Sequence, residues 1–204
     1  MNEIIFEDEY IIAVVKKVGE VSQALAEPYG GHVINRLDTP VGGIVLIAKT
    51  AVAAAKMSEL LQNSGIGKKY LAVVCGNCPE NVEFIDYIMV NQRLNLSKLV
   101  NRGNGKEARL ALRRLVTKDD LTLAEVTLYT GRHHQIRCQL AGHNLPLWGD
   151  TKYNPAFKHK RGVLPGLFAY KTAFRHPFTN EEIELKTMPD YGIFTDFTEA
   201  YNEI

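Results

Sequence analysis

The stretch VINRLDTPVGGIVLIAKT, residues 33–50, sets one carboxylate, Asp38, two positions after Arg36 and ahead of a Gly-rich turn and an apolar run. A carboxylate entering a buried segment is costly unless a cation or hydrogen-bond donors answer it. Two arginines are placed to do so. Arg36 is next door, and Arg137 falls in a second helical segment where Ile136 and Leu140, at i and i+4, share the apolar face. An arginine at the edge of a core is where a partner carboxylate is expected. Pairing would keep Asp38 ionised, as a nucleophile or general base requires. The same residues equally suit a structural ion pair with no chemistry.

Other chemistry-bearing residues are weaker. Cys75-Gly76-Asn77-Cys78 is a CxxC, with Cys138 and His143 as conceivable zinc partners. One pair without a second is a poor metal signal, and a buried strand end followed by a turn explains it, so no metal is expected. His133 and His134, if helical, project about 100° apart and chelate badly. Asp150 could serve as the second acid of a glycosidase-like pair, but anchoring the turn after Gly149 is the simpler reading. Trp148 reads as core. Gly30-Gly31 reads as a turn, since no Walker lysine and Ser/Thr follow.

The elements that position these residues are mostly strands. Residues 10–15, 43–48, 69–75, 84–90, 109–116, 121–129, 167–174 and 182–186 are β-branched or alternating runs between turn residues. Thr50 can cap a helix through about Asn63, with Ala53, Met57, Leu60 and Leu61 on one face and Gly65 at its stop. A second helix is expected over about residues 133–141, and a short one near the C-terminus. Strands joined mainly by turns imply an α+β fold, a mixed, largely antiparallel β-sheet flanked by helices and loops.

Net charge is only +1, so polyanion binding must come from local clustering. Residues 91–137 hold ten basic side chains against four acidic ones, and Lys152, Lys158, Lys160 and Arg161 extend the run. The acidic residues from Glu181 onward restore neutrality, an asymmetry suited to a polyanion bound on one side. Three cysteines build no disulfide framework, the acidic N-terminus is no targeting segment, and no run is long enough to span a membrane. A reducing cytoplasm and one continuous domain over 1–204 are expected, and a monomer.

Along nearly its whole length the sequence resembles the RluA-type RNA pseudouridine synthases. That family's His-Arg-Leu-Asp run, two residues, Thr-Ser-Gly and apolar strand are matched by Asn35-Arg36-Leu37-Asp38, Thr39-Pro40, Val41-Gly42-Gly43 and IVLIAKT. Its Lys-x-Tyr-x-Ala strand is matched by Lys68-Lys69-Tyr70-Leu71-Ala72, and its Thr-Gly-Arg-x-His-Gln-Ile-Arg helix start by residues 130–137. Pro146-Leu147-Trp148-Gly149-Asp150-Thr151-Lys152-Tyr153 fits its Pro-x-x-Gly-Asp-x-x-Tyr, and Phe174-Arg175-His176-Pro177 its Phe-x-His-Pro. The opening IIFEDEYIIAVVKKVG looks like its N-terminal strand pair. The sequence departs from the pattern at Asn35, Val41, Gly42, Lys17, Gln139 and Phe168, which touches loop geometry and substrate choice more than reaction class.

The resemblance implies the pseudouridine synthase catalytic fold and isomerisation of uridine in rRNA or tRNA, with no cofactor; many members carry a separate N-terminal RNA-binding (S4) domain, and with the first strand so near the start none is expected here. It makes Asp38 the catalytic carboxylate on a flipped-out uridine, with Arg137 as its ion-pair partner. Tyr70 would stack on the base and Ile136 pack against it. Arg36 would support the opened RNA, Arg132 and the basic run would hold phosphates, His134 would order the Arg137 region, His133 would face RNA, and Lys68 would join the RNA-binding set. Two other readings stand beside it: a weak or inactive RNA-binding relative, motivated by the departures at Asn35, Val41 and Gly42, and a nucleoside or nucleotide hydrolase that would release free uracil.

Overall fold

The computed structural model describes residues 2–204. In chain order the strands are β1 (Ile4–Glu7), β2 (Ile11–Lys16), β3 (His32–Val33), β4 (Gly42–Ala48), β5 (Ile66–Cys75), β6 (Asn81–Asn91) and β7 (Leu96–Val100). After them come β8 (Lys106–Lys118), β9 (Leu121–Leu128), β10 (Leu167–Arg175) and β11 (Glu182–Lys186). Helix α1 spans Ala51–Gln62 and α2 spans Gln135–Gly142, and 3-10 segments cover Ser22–Tyr29, Pro155–Phe157 and Gly192–Glu203. The α+β reading with a mixed, largely antiparallel sheet holds, and the chain divides into two compact units.

The first unit comprises Met1–Lys69 and Phe168–Pro189. β2 pairs antiparallel with β1 and β4, β3 lies antiparallel on β4, and β11 is antiparallel to β10. Only the β4–β10 pairing is parallel among those with a described register, with Phe168 opposite Gly42 and Ala169 opposite Gly43. Gly43 is required there: its φ is +125°, and a Cβ would collide with the backbone of Ala169. Helix α1 begins where expected, because the Thr50 hydroxyl accepts the Ala53 N–H at 3.1 Å. Ala53 and Met57 are fully buried against Ile44, Leu46 and Phe174 in the core, with Leu60 and Leu61 packed at its border. The helix stop differs from expectation. Ser64, not Gly65, takes the left-handed conformation (φ 59°), and the Gly65 N–H bonds the Leu60 carbonyl.

The second unit comprises Tyr70–Leu167 and Asp190–Ile204. Strands β9, β8, β6 and β7 form an antiparallel meander, with the remainder of β5 beside β9. Helix α2 covers one face of β6 and β7. β7 was not foreseen, since LSKLV lies inside a segment notable for charge. β1 follows from the resemblance rather than from periodicity.

Candidate active site

Asp38 lies, partly exposed, in the loop between β3 and β4. The loop owes its shape to Lys16, at the end of β2 and only 1% exposed. The Lys16 ammonium donates to the carbonyls of Val41 (2.8 Å), Lys17 (3.1 Å), Thr39 (3.2 Å) and Asp38 (3.3 Å). Burial pushes its pKa down to about 8, against the charges of Glu20 and Asp38, which raise it. The buried Ser22 hydroxyl donates to the Leu37 carbonyl and accepts the Leu37 N–H, both at 3.0 Å. The Val41 N–H closes a turn on the Asp38 carbonyl at 2.9 Å. Several backbone groups around the carboxylate, the carbonyls of Leu37, Asp38, Thr39 and Val41 and the N–H groups of Leu37 and Val41, are therefore held by partners within the protein. Sequence reasoning missed both Lys16 and Ser22. The signal for Lys16 was its place on the strand face of Ile12 and Val14, both buried.

The departure at Asn35 preserves an anchor for this loop. Its side-chain carbonyl accepts the Leu46 N–H at 2.8 Å and its amide donates to the Ile44 carbonyl at 3.1 Å, imitating a strand residue beside β4. Arg36 is exposed at the rim of the loop.

In the second unit, Arg137 is 3% exposed, within the core rather than at its edge. Its Nε and Nη2 both donate to Asp150, at 2.8 Å each, and Asp150 has no exposed surface. Burial by itself would raise the Asp150 pKa. The Arg137 hydrogen bonds and charge, with the N–H groups of Lys152 and Tyr153, outweigh it and hold the carboxyl below the usual range. Asp150 thus anchors the turn after Gly149 as expected, through Lys152 N–H (2.9 Å) and Tyr153 N–H (3.2 Å), and also orients the arginine. A buried bidentate pair of this kind costs about 3–5 kcal/mol when one partner is removed. Tyr153 lies under the guanidinium, its ring centre 5.3 Å from the guanidinium carbon.

The two histidines precede α2 rather than lying on it. His134 is left-handed (φ 51°) and caps the helix, which begins at Gln135, so the rings do not diverge. They stack at 3.8 Å between centroids. His134 Nδ1 is 2.9 Å from the hydroxyl of Tyr153, whose ring lies beside Arg137. His133 reaches β7, its Nδ1 2.9 Å from Ser97 Oγ. The Gln135 side chain shapes the preceding loop, accepting from Thr130 Oγ1 (2.8 Å) and Arg132 N–H (2.9 Å). Arg132 is exposed, with Nε donating to the Glu107 carbonyl at 2.8 Å. Ile136 (4% exposed) and Tyr70 (7% exposed) are buried in the same unit. Lys68 is half-buried in the first unit, and burial lowers its pKa.

The remaining suspects find other partners. His143 stacks on Phe84 at 3.9 Å and lies 3.0 Å from Asp86 Oδ2, which also accepts from Gln139 Nε2 at 2.7 Å. Cys75, at the end of β5, and Cys78, buried in the connection to β6, are free thiols. Among the described residues no three of His, Cys, Asp and Glu cluster as metal ligands would.

The RNA pseudouridylate synthase family model matches residues 9–142, well over half of the chain. The chain is 29% identical over 238 residues to tRNA pseudouridine synthase C of Vibrio parahaemolyticus, covering 96% of this chain and 94% of that one. It is 26% identical over 214 residues to ribosomal large subunit pseudouridine synthase D of Zymomonas mobilis, covering 89% and 67%. Among solved structures it superposes on human RNA pseudouridylate synthase domain containing 1 with a TM-score of 0.79 at 20% identity, covering 96% and 86% of the two chains. Through the family match over residues 9–142 and the relatives that share it, the chain belongs to the RNA pseudouridylate synthase family, RluA type, and is an isomerase.

Proposed function

We propose that the enzyme converts particular uridines of tRNA or rRNA to pseudouridine, with Asp38 as the catalytic carboxylate. The reaction breaks the N1–C1′ bond, turns the base and joins C5 to C1′. C5 gives up a proton and N1 takes one, so atoms and charge balance with no redox partner. A base that must detach and rotate has to leave its stack, so the uridine is flipped out. Tyr70 then offers an aromatic face worth about 1–3 kcal/mol to the base. Ile136 packs in the same region, and Arg137 is the cation of the site. Arg36, Arg132, His134 and Lys68 serve the surrounding RNA, the arginines on phosphate and the opened strand. The two units act as one catalytic domain, a reading supported by a family match that runs through both.

The observation that carries the proposal is the Asp38 loop itself. A buried ammonium, a buried serine and an asparagine strand mimic hold the backbone while the acid stays partly exposed. Such preorganisation is what a reacting carboxylate needs. The choice between tRNA and rRNA rests on the names of the relatives alone. Mapping pseudouridines in total RNA, with and without the gene, tests it. Sites lost from tRNA or rRNA on deletion and restored by wild type, but not by Asp38→Asn, support the proposal. An unchanged map would overturn it.

A further inference from the structure

We propose that Tyr153 is a positioning residue that couples the Arg137 guanidinium to the basic β6–β7 hairpin, so that RNA held by the hairpin sets the cation of the site. This rests on the functional reading above for its substrate. The hairpin carries Arg93 and Lys98, with Arg102 and Lys106 on the following turn and strand; all four are exposed. None has an ion pair within 4.0 Å among the described residues. They are therefore available to phosphate.

The hairpin is stitched to the residues that hold Arg137. Ser97 N–H on β7 donates to the Tyr153 hydroxyl at 2.7 Å. Ser97 Oγ donates to the His133 carbonyl at 2.6 Å, His133 Nε2 is 2.9 Å from Asn95 Oδ1, and Lys152 Nζ donates to the Asn95 carbonyl at 3.0 Å. Tyr153 touches β7, His134, Arg137 and Asp150. Its hydroxyl meets β7 and His134, its ring lies beside the guanidinium, and its N–H holds Asp150, the partner of Arg137. With Ser97 N–H as donor, the phenol keeps its own proton, and His134 Nδ1 lies 2.9 Å from the hydroxyl. Burial raises the phenol pKa, so that proton stays through the working range. A shift of β7 under bound RNA must therefore move the ring against Arg137 or break the 2.7 Å bond.

Tyr153→Phe cuts this link while keeping the ring and the N–H to Asp150. We expect kcat on unmodified RNA transcripts to fall about five- to tenfold with KM within about twofold, the pattern of a lost positioning bond rather than lost binding. Hydrogen exchange at Arg137 Nε–H, followed by NMR, should slow when RNA binds the wild type and not when it binds the variant. A variant with wild-type kcat, a rise in KM alone, or equal slowing of exchange in both proteins would overturn the coupling. If the wild type makes no pseudouridine on any RNA, the substrate reading fails, and the exchange comparison still decides the role of Tyr153.

Discussion

Lys16 shows how one side chain can set the working pH of a loop. Its native pKa of about 8 lies below the ordinary 10.5 because burial disfavours the charge. Between those values the unfolded chain keeps the proton and the native state has lost it. The unfolded state then binds more protons, so the contribution of Lys16 to stability rises with pH across that window. Activity should move the opposite way, since a neutral amine has two donors for the four carbonyls around Asp38. We expect kcat to fall above a pH of about 8 without a matching loss in Tm. Lys16→Arg, charged throughout this range, should move the alkaline limb to higher pH. A limb at the same pH in the variant would assign it to another group.

Helix α1 is the scale at which stability is easiest to test. Met57 has no exposed surface, and Met57→Ala should cost about 2–5 kcal/mol. Losing the Thr50 cap should cost about 1 kcal/mol. Both should lower the urea midpoint without changing the slope; a midpoint unmoved by Met57→Ala would contradict the packing described. This element was legible in the sequence because a cap and a 3.6-residue apolar spacing are local. β4 and β11 were legible for the same reason. β7 was not: its buried Ser97 is bonded to Tyr153 and His133, partners distant in sequence. The start of α2 was misplaced because the left-handed His134 depends on contacts with Tyr153 and on the Gln135 side chain. Within the candidate site, Asp38 and Arg137 were singled out by pattern, whereas the Asp150 clasp on Arg137 crosses a turn whose geometry no spacing specifies.

At the scale of the molecule, the structure thins the basic run to its working members. Arg109 is tied to Glu83, Arg113 to Glu125, Arg114 to Asn77 and the Cys78 carbonyl, and Arg137 to Asp150. Exposed cations such as Arg93, Lys98, Arg102 and Lys106 remain to meet a polyanion. RNA affinity should fall steeply with salt, and Lys98→Gln or Lys106→Gln should each reduce the slope of log K against log salt by about 1. Arg113→Gln, already neutralised by Glu125, should change that slope far less. Equal effects at all three positions would refute this division of the charges. The most direct measurement of the central claim uses RNA tritiated at uridine C5, because pseudouridine formation must release that hydrogen to solvent. Wild-type enzyme should release tritium while keeping every base attached to the chain, and Asp38→Asn, folded and still binding RNA, should release none. Wild-type rates from Asp38→Asn, or free uracil as the product, would contradict the account.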